Sequence, residues 1–210
     1  MPVSVLIEGM DLTGKTTLAT LLAAQLEDRG VRTVLHRGFL ARRHPLRPVL
    51  DRTEPGMRPA DSTLNTAFIL GSLMDRALPG VLDGRDHEVV IQESYVDRAI
   101  AYGMAAGGWM AARYAARHPD RFVSFDLGVL TRAPLAVRRA RARARGGGDR
   151  VDARTLHDEA FGEEFWSTLE HVAARHREVV LVDSDARLPQ ESVQEIAARV
   201  VTLAGREGRA

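Results

Sequence analysis

The segment Gly9-Met10-Asp11-Leu12-Thr13-Gly14-Lys15-Thr16 fits the pattern G-x-x-x-x-G-K-[ST]. It follows a short β-rich apolar run, Val3-Ser4-Val5-Leu6-Ile7, and opens a stretch of helical period, Thr16 to Leu26, that closes at Arg29-Gly30. Strand, glycine-rich loop and helix N-terminus form the arrangement in which backbone N–H groups and the helix dipole hold phosphate. Lys15 is the only lysine among 29 basic residues. A compact ammonium on a thin stem reaches over a tight loop where a planar guanidinium does not fit. Gly9, Met10, Asp11, Leu12, Thr13, Gly14, Lys15, Thr16 and Thr17 are therefore the expected nucleotide-phosphate site. Lys15 would serve the β- and γ-phosphates, and Thr16 Oγ would ligate Mg²⁺.

The rest of the chain narrows the setting. Its 210 residues with 45% hydrophobic content suit one α/β domain spanning 1–210. A net charge of +1 argues against bulk capture of nucleic acid, and the absence of cysteine excludes disulfides and thiol chemistry. Met1-Pro2 leads straight into the first strand, and there is no apolar run of membrane-spanning length, so a soluble cytoplasmic protein is expected.

Further strands are predicted at 31–36, 88–93, 122–130 and 179–183. Helices are predicted from Asp61 or Ser62 to about Leu82, over 98–117, from Pro134 to the Gly146-Gly147-Gly148 run, over 155–175 and over 193–203. Five strands alternating with helices imply a parallel sheet covered on both faces. His36, His44 and His87 lack metal-ligand spacing.

A guanine-reading N-K-x-D is impossible without a second lysine. With GTPases set aside, the chain resembles the thymidylate kinase family. Ile7 to Thr17 is similar to its EGxDGxGKTT opening, Met74-Asp75-Arg76-Ala77 to its A-D-R-A helix, and Glu93 to Gly103 to its DRYxxSxxAYQG segment. Arg143 to Asp152 resembles its lid, R-x-R-G-x-x-D-R-F-E. The resemblance implies a three-layer P-loop kinase fold with a short Arg-rich lid at about 138–152, ATP as phosphoryl donor with Mg²⁺, and a homodimer. Trp109 and Trp166 are expected to serve helix packing, within the chain or at that dimer interface, rather than ligand stacking.

Phosphoryl transfer is mostly positioning and charge neutralisation. Glu93 ends a strand beside the loop, where a carboxylate supports the Mg²⁺ shell. Lid arginines Arg143, Arg145 and Arg150 would stabilise the transferring group. A nucleic-acid role for these arginines is disfavoured, because no aromatic residue interleaves with them. Asp11, Arg37, Ser72, Arg76, Ser94, Asp97, Arg98 and Tyr102 are the candidate acceptor contacts.

On the acceptor side the chain departs from the family. Arg37-Gly38-Phe39-Leu40 stands where the family has R-E-P-G, Ser72 where it has its stacking Phe, Ser94 where it has the Arg of D-R-Y, Ala99 where it has a Ser, and Gly103 where it has a Gln. These departures imply an acceptor other than dTMP: a hydroxyl of a nucleoside, modified nucleotide or sugar-like metabolite, with Asp11 or Glu93 as base. Arg98, one turn from position 94, offers a replacement for the missing Arg. Two alternatives stay open at this point, an ordinary dTMP kinase with drifted motifs and a non-catalytic nucleotide-binding protein.

Overall fold

The computed structural model describes residues 1–50, 61–145 and 153–207. Arg150, Gly146 to Gly148, Asp51, Arg52 and Glu54 lie outside them. The described residues form one five-stranded sheet: β1 (Val3–Gly9), β2 (Thr33–Arg37), β3 (Val89–Glu93), β4 (Leu127–Arg132) and β5 (Glu178–Asp183), in spatial order β2-β3-β1-β4-β5. Every neighbouring pair is parallel, with Ile7 beside Glu93 on one side and Val129 on the other. The helices are α1 (Lys15–Asp28), α2 (Arg47–Leu50), α3 (Asp61–Ser72), α4 (Val96–Ala105), α5 (Met110–Arg117), α6 (Leu135–Ala144), α7 (Ala153–His157), α8 (Glu159–Ala173) and α9 (Pro189–Glu207). The fold is the three-layer α/β arrangement of a P-loop kinase.

Alternation along β1 assigns its two faces. Val3, Val5 and Ile7 are buried against Leu18, Leu22 and Leu26 of α1 and Ile196 and Val200 of α9. Leu6 points the other way, into a core with Ile69 of α3, Ile100 of α4 and Ala112 of α5. Glu8 shares that second face, one step from the phosphate loop, and is fully buried.

Several helix boundaries differ from the sequence expectation. The helix over 98–117 is two, α4 and α5, parted at Gly107 (φ +117°) and Gly108 (φ +65°), where the backbone enters the left-handed region that glycine tolerates. The helix over 155–175 is also two. Asp158 accepts a bond from Phe161 N at 3.1 Å and so caps α8. The helix from Asp61 stops at Ser72 and gives way to short 3₁₀ turns at Met74–Arg76 and Val81–Asp83. β4 begins at Leu127, not 122, and α9 is longer than the expected 193–203, starting at Pro189.

Candidate active site

The loop between β1 and α1 folds around its own lysine. Thr13 Oγ1 donates to Met10 O at 2.8 Å and lies 2.7 Å from Thr131 Oγ1, which donates to Glu8 O at 3.0 Å. Gly9 runs against β4 so closely that a Cβ there would meet Thr131 O at 2.3 Å. Lys15 Nζ donates to Gly9 O at 2.9 Å and Met10 O at 2.6 Å. Burial, then the nearby Arg98 cation, lowers the Lys15 pKa from 10.5 to about 8, against the pull of Asp11, Glu8 and Glu93. Leu12 holds φ +66°, an unusual conformation for a side chain with a Cβ, and its carbonyl accepts from Arg141 at 2.9 Å.

Beside the loop, at the C-terminal edge of the sheet, lies a cavity of about 580 Å³. Lys15, Thr16 and Glu93 form its inner end. Thr16 Oγ1 donates to Glu93 Oε1 at 2.6 Å, and the other Glu93 oxygen accepts from Arg37. The Thr16–Glu93 pair suits Mg²⁺, a hard cation that takes oxygen donors and keeps the rest of its shell for water and substrate phosphates. Among the described residues no group of three or more His, Cys, Asp or Glu converges as a metal cage.

The outer end of the cavity brings together Asp11, Arg37, Ser94, Arg98 and Phe68. Arg98 Nη2 grips both oxygens of Asp11, at 2.8 and 2.9 Å. Ser94 has φ +60°, donates its N–H to Ile7 O and receives Gln92 Nε2 on its carbonyl. Gln92 also donates to Gly38 O, tying the ends of β2 and β3 together. Phe68 and Tyr95 are the cavity's aromatic lining. Phe68 stacks on Phe39 at 4.9 Å between centroids, and Phe39 stacks on His44 at 3.6 Å.

Four expected acceptor residues lie elsewhere. Ser72 is fully buried, its hydroxyl spent on Phe68 O at 2.8 Å. Arg76 borders a separate cavity with Met1, Pro2 and Ser4, at the start of β1 and thus the opposite edge of the sheet, where it donates to Asp120 O. Asp97 is fully buried between Arg175, at 2.7 Å, and His176. Burial opposes its ionisation, but Arg175 and His176 outweigh burial and hold the carboxyl below the usual carboxylate range. Tyr102 rests on Trp109 and Phe161 and does not line the cavity. Trp166 is buried in α8 under Arg132, a packing role.

The lid arginines also divide. Arg145 borders the cavity, whereas Arg143 is exposed on α6 and does not line it. Arg138 is buried and donates to Thr155 O, and Arg139 donates to Leu156 O. Arg141, within the stretch expected as the lid, spans Leu12 O and Ser184 Oγ and O at 2.8 to 3.0 Å. With Thr131, Arg145, Ser184 and Arg187 it borders a second cavity of about 260 Å³ against Gly14 and Thr17. Phe68 was legible in principle. It stands four residues before Ser72, on the same stripe of α3, so the ring is displaced by one helical turn.

No family model matches the chain. Curated proteins named thymidylate kinase, from Xanthomonas campestris pv. campestris strains B100 and 8004, are each 32% identical to it over 158 residues, which is 67% of this chain and 60% of the relative. The chain is thymidylate-kinase-like. The match spans 60% of the length of those relatives. In this thymidylate-kinase-like chain no described helix is long and apolar enough to cross a membrane.

Proposed function

We propose that the protein is an ATP-dependent phosphotransferase that moves the γ-phosphoryl group of Mg-ATP to a small acceptor seated in the larger cavity. The carrying observation is one continuous space with Lys15 and the Thr16–Glu93 pair at one end and Phe68, Arg37 and Arg98 at the other. Lys15 leaves its loop carbonyls for the β- and γ-phosphates, and the Gly9–Thr17 N–H groups cradle them. Thr16 and Glu93 would hold Mg²⁺, which neutralises phosphate charge when bound. Arg145 supplies lid-side charge, a role the sequence also assigns to Arg150. The second cavity, beside Gly14, suits the nucleoside half of the donor.

A flat ring and two arginines on the acceptor wall favour an acceptor with a planar base and an anion, a nucleoside monophosphate or a modified relative of one. Phe68 and Arg98 thereby supply two features whose loss, at Ser72 and Ser94, argued against dTMP. A second reading, a neutral hydroxyl acceptor with Asp11 or Glu93 as base, is favoured by one observation: both arginines are already neutralised, Arg98 by Asp11 and Arg37 by Glu93. A homodimer also belongs to the proposal. Exposed Met110 and Tyr114 of α5 and Leu70 of α3 offer it apolar surface.

The test is ADP release from Mg-ATP with dTMP, with thymidine and with no acceptor. Turnover with dTMP well above the other two supports the monophosphate reading. Turnover with thymidine alone supports the hydroxyl reading. Release at the acceptor-free level with every nucleoside and nucleotide, from protein that binds ATP, overturns both.

A further inference from the structure

Helix α4 starts without a cap of its own: Tyr95 is the N-cap residue and its side chain makes no capping bond. The cap comes from another strand. Glu8 Oε1, on β1, accepts Tyr95 N at 2.6 Å and Arg98 N at 3.3 Å. A carboxyl oxygen at a helix N-terminus satisfies orphan N–H groups whether or not the group is ionised. Here it also ties the strand that feeds the phosphate loop to the first turn of the helix that carries Arg98. Arg98 is thus held twice, by Glu8 at its backbone and by Asp11 at its head group. Asp97 in the same turn is anchored to Arg175 on the far side.

Glu8 touches neither cavity, and its Oε2 is buried without a hydrogen-bond partner. Placing a carboxylic group there is costly. An apolar side chain would fill the space without that cost, and it would leave the first turn of α4 unheld.

We propose that Glu8 is a positioning residue of the acceptor pocket: it sets the first turn of α4, and through it the place of the Arg98 guanidinium over Asp11. The inference rests on reading the larger cavity as the acceptor pocket. Its effect should fall mainly on the acceptor side, because the Glu8 side chain takes no part in the hydrogen bonds among Met10, Thr13, Lys15 and Thr131 that close the phosphate loop.

The experiment measures dTMP affinity with the donor site filled by Mg-AMPPNP, in wild type, Glu8→Gln, Glu8→Leu, Arg98→Ala and the Glu8→Leu/Arg98→Ala double variant. Glu8→Gln keeps an acceptor oxygen and is expected within about threefold of wild type. Glu8→Leu should bind dTMP about tenfold more weakly, the scale of one lost hydrogen bond. Its Mg-AMPPNP affinity should stay within about twofold. The double variant should match Arg98→Ala alone, because Glu8 acts through that residue. Wild-type dTMP affinity in Glu8→Leu, an equal loss of AMPPNP, or effects that multiply in the double variant each overturn the proposal.

Amide hydrogen exchange gives a readout independent of the acceptor. The Tyr95 and Arg98 amides should be protected in wild type and Glu8→Gln and should exchange at least about tenfold faster in Glu8→Leu. Unchanged exchange there overturns the positioning role. A wild-type protein that holds AMPPNP but not dTMP, with the exchange result as expected, overturns only the monophosphate reading.

Discussion

The two ends of the large cavity, donor and acceptor in the proposed function, are built on different principles. The donor end is nine consecutive residues, Gly9 to Thr17, held by bonds within the loop and to β4, with outside ties only from Asp11 to Arg98, Leu12 O to Arg141 and Thr16 to Glu93 among the described residues. The acceptor end is assembled from β2, α3, the β3–α4 loop and α4, and its ion pairs join residues 56 and 87 positions apart. A locally built site is robust to drift elsewhere. An assembled site shifts whenever one supporting element shifts.

The largest expected effect tests the donor end. Lys15→Ala should reduce turnover by about a thousandfold, the scale of a lost group that stabilises transferring charge, while the unfolding midpoint shows the fold retained. Full turnover in that variant would remove the loop from the chemistry. Next comes Asp97→Ala, which strands Arg175 beside a cavity once its partner is gone. Breaking a buried pair from one side costs about 3 to 5 kcal/mol, read as a fall in denaturant midpoint. If stability held while acceptor binding fell, Asp97 would belong to the pocket and not to the core.

Arg98→Ala should raise the acceptor KM by roughly 10- to 100-fold with the ATP KM nearly constant. Phe68→Leu should raise it by about threefold to tenfold, the scale of one lost ring contact. Equal effects on both substrates would erase the division between the two ends. Arg76→Ala should change neither, since Arg76 faces the opposite edge of the sheet. A large rise in acceptor KM there would return it to the pocket.

The pH dependence of stability gives a smaller and signed effect. Burial, reinforced by Asp97, pushes the Glu8 pKa up from 4.5 to about 8, so the folded protein holds this proton more tightly than the unfolded chain. Its contribution is complete below about pH 4.5 and is lost as pH rises through about 8. Glu8→Gln should therefore flatten the decline of denaturant midpoint across that window. Asp97 has the opposite sign: its contribution is present above the usual carboxylate range and fades only in strong acid.

Some misplacements in the sequence reading share one cause. Serine at position 72 suggested a lost ring, because spacing from Arg76 assumed a continuous helix through both. The chain leaves α3 at Ser72, turns through a 3₁₀ segment and carries Arg76 to the other edge, while Phe68 fills the wall from one turn earlier. Asp97 and Arg98 are neighbours in sequence, yet helical geometry sends one into the core and the other into the cavity. No pairwise spacing in the chain announces Arg175 as the partner of Asp97, 78 residues away.

By itself the sequence determined the five parallel strands, the phosphate loop and the placement of Lys15, Thr16 and Glu93. Each follows from local rules, with apolar runs, glycine where the backbone turns, and a helix starting at its own loop. Only the tertiary structure decided which arginines and which rings line the large cavity, and that Glu8 caps a helix 87 residues further on. Those assignments depend on which helix faces lie against which strand ends, a matter of packing across the whole sheet rather than of any one segment.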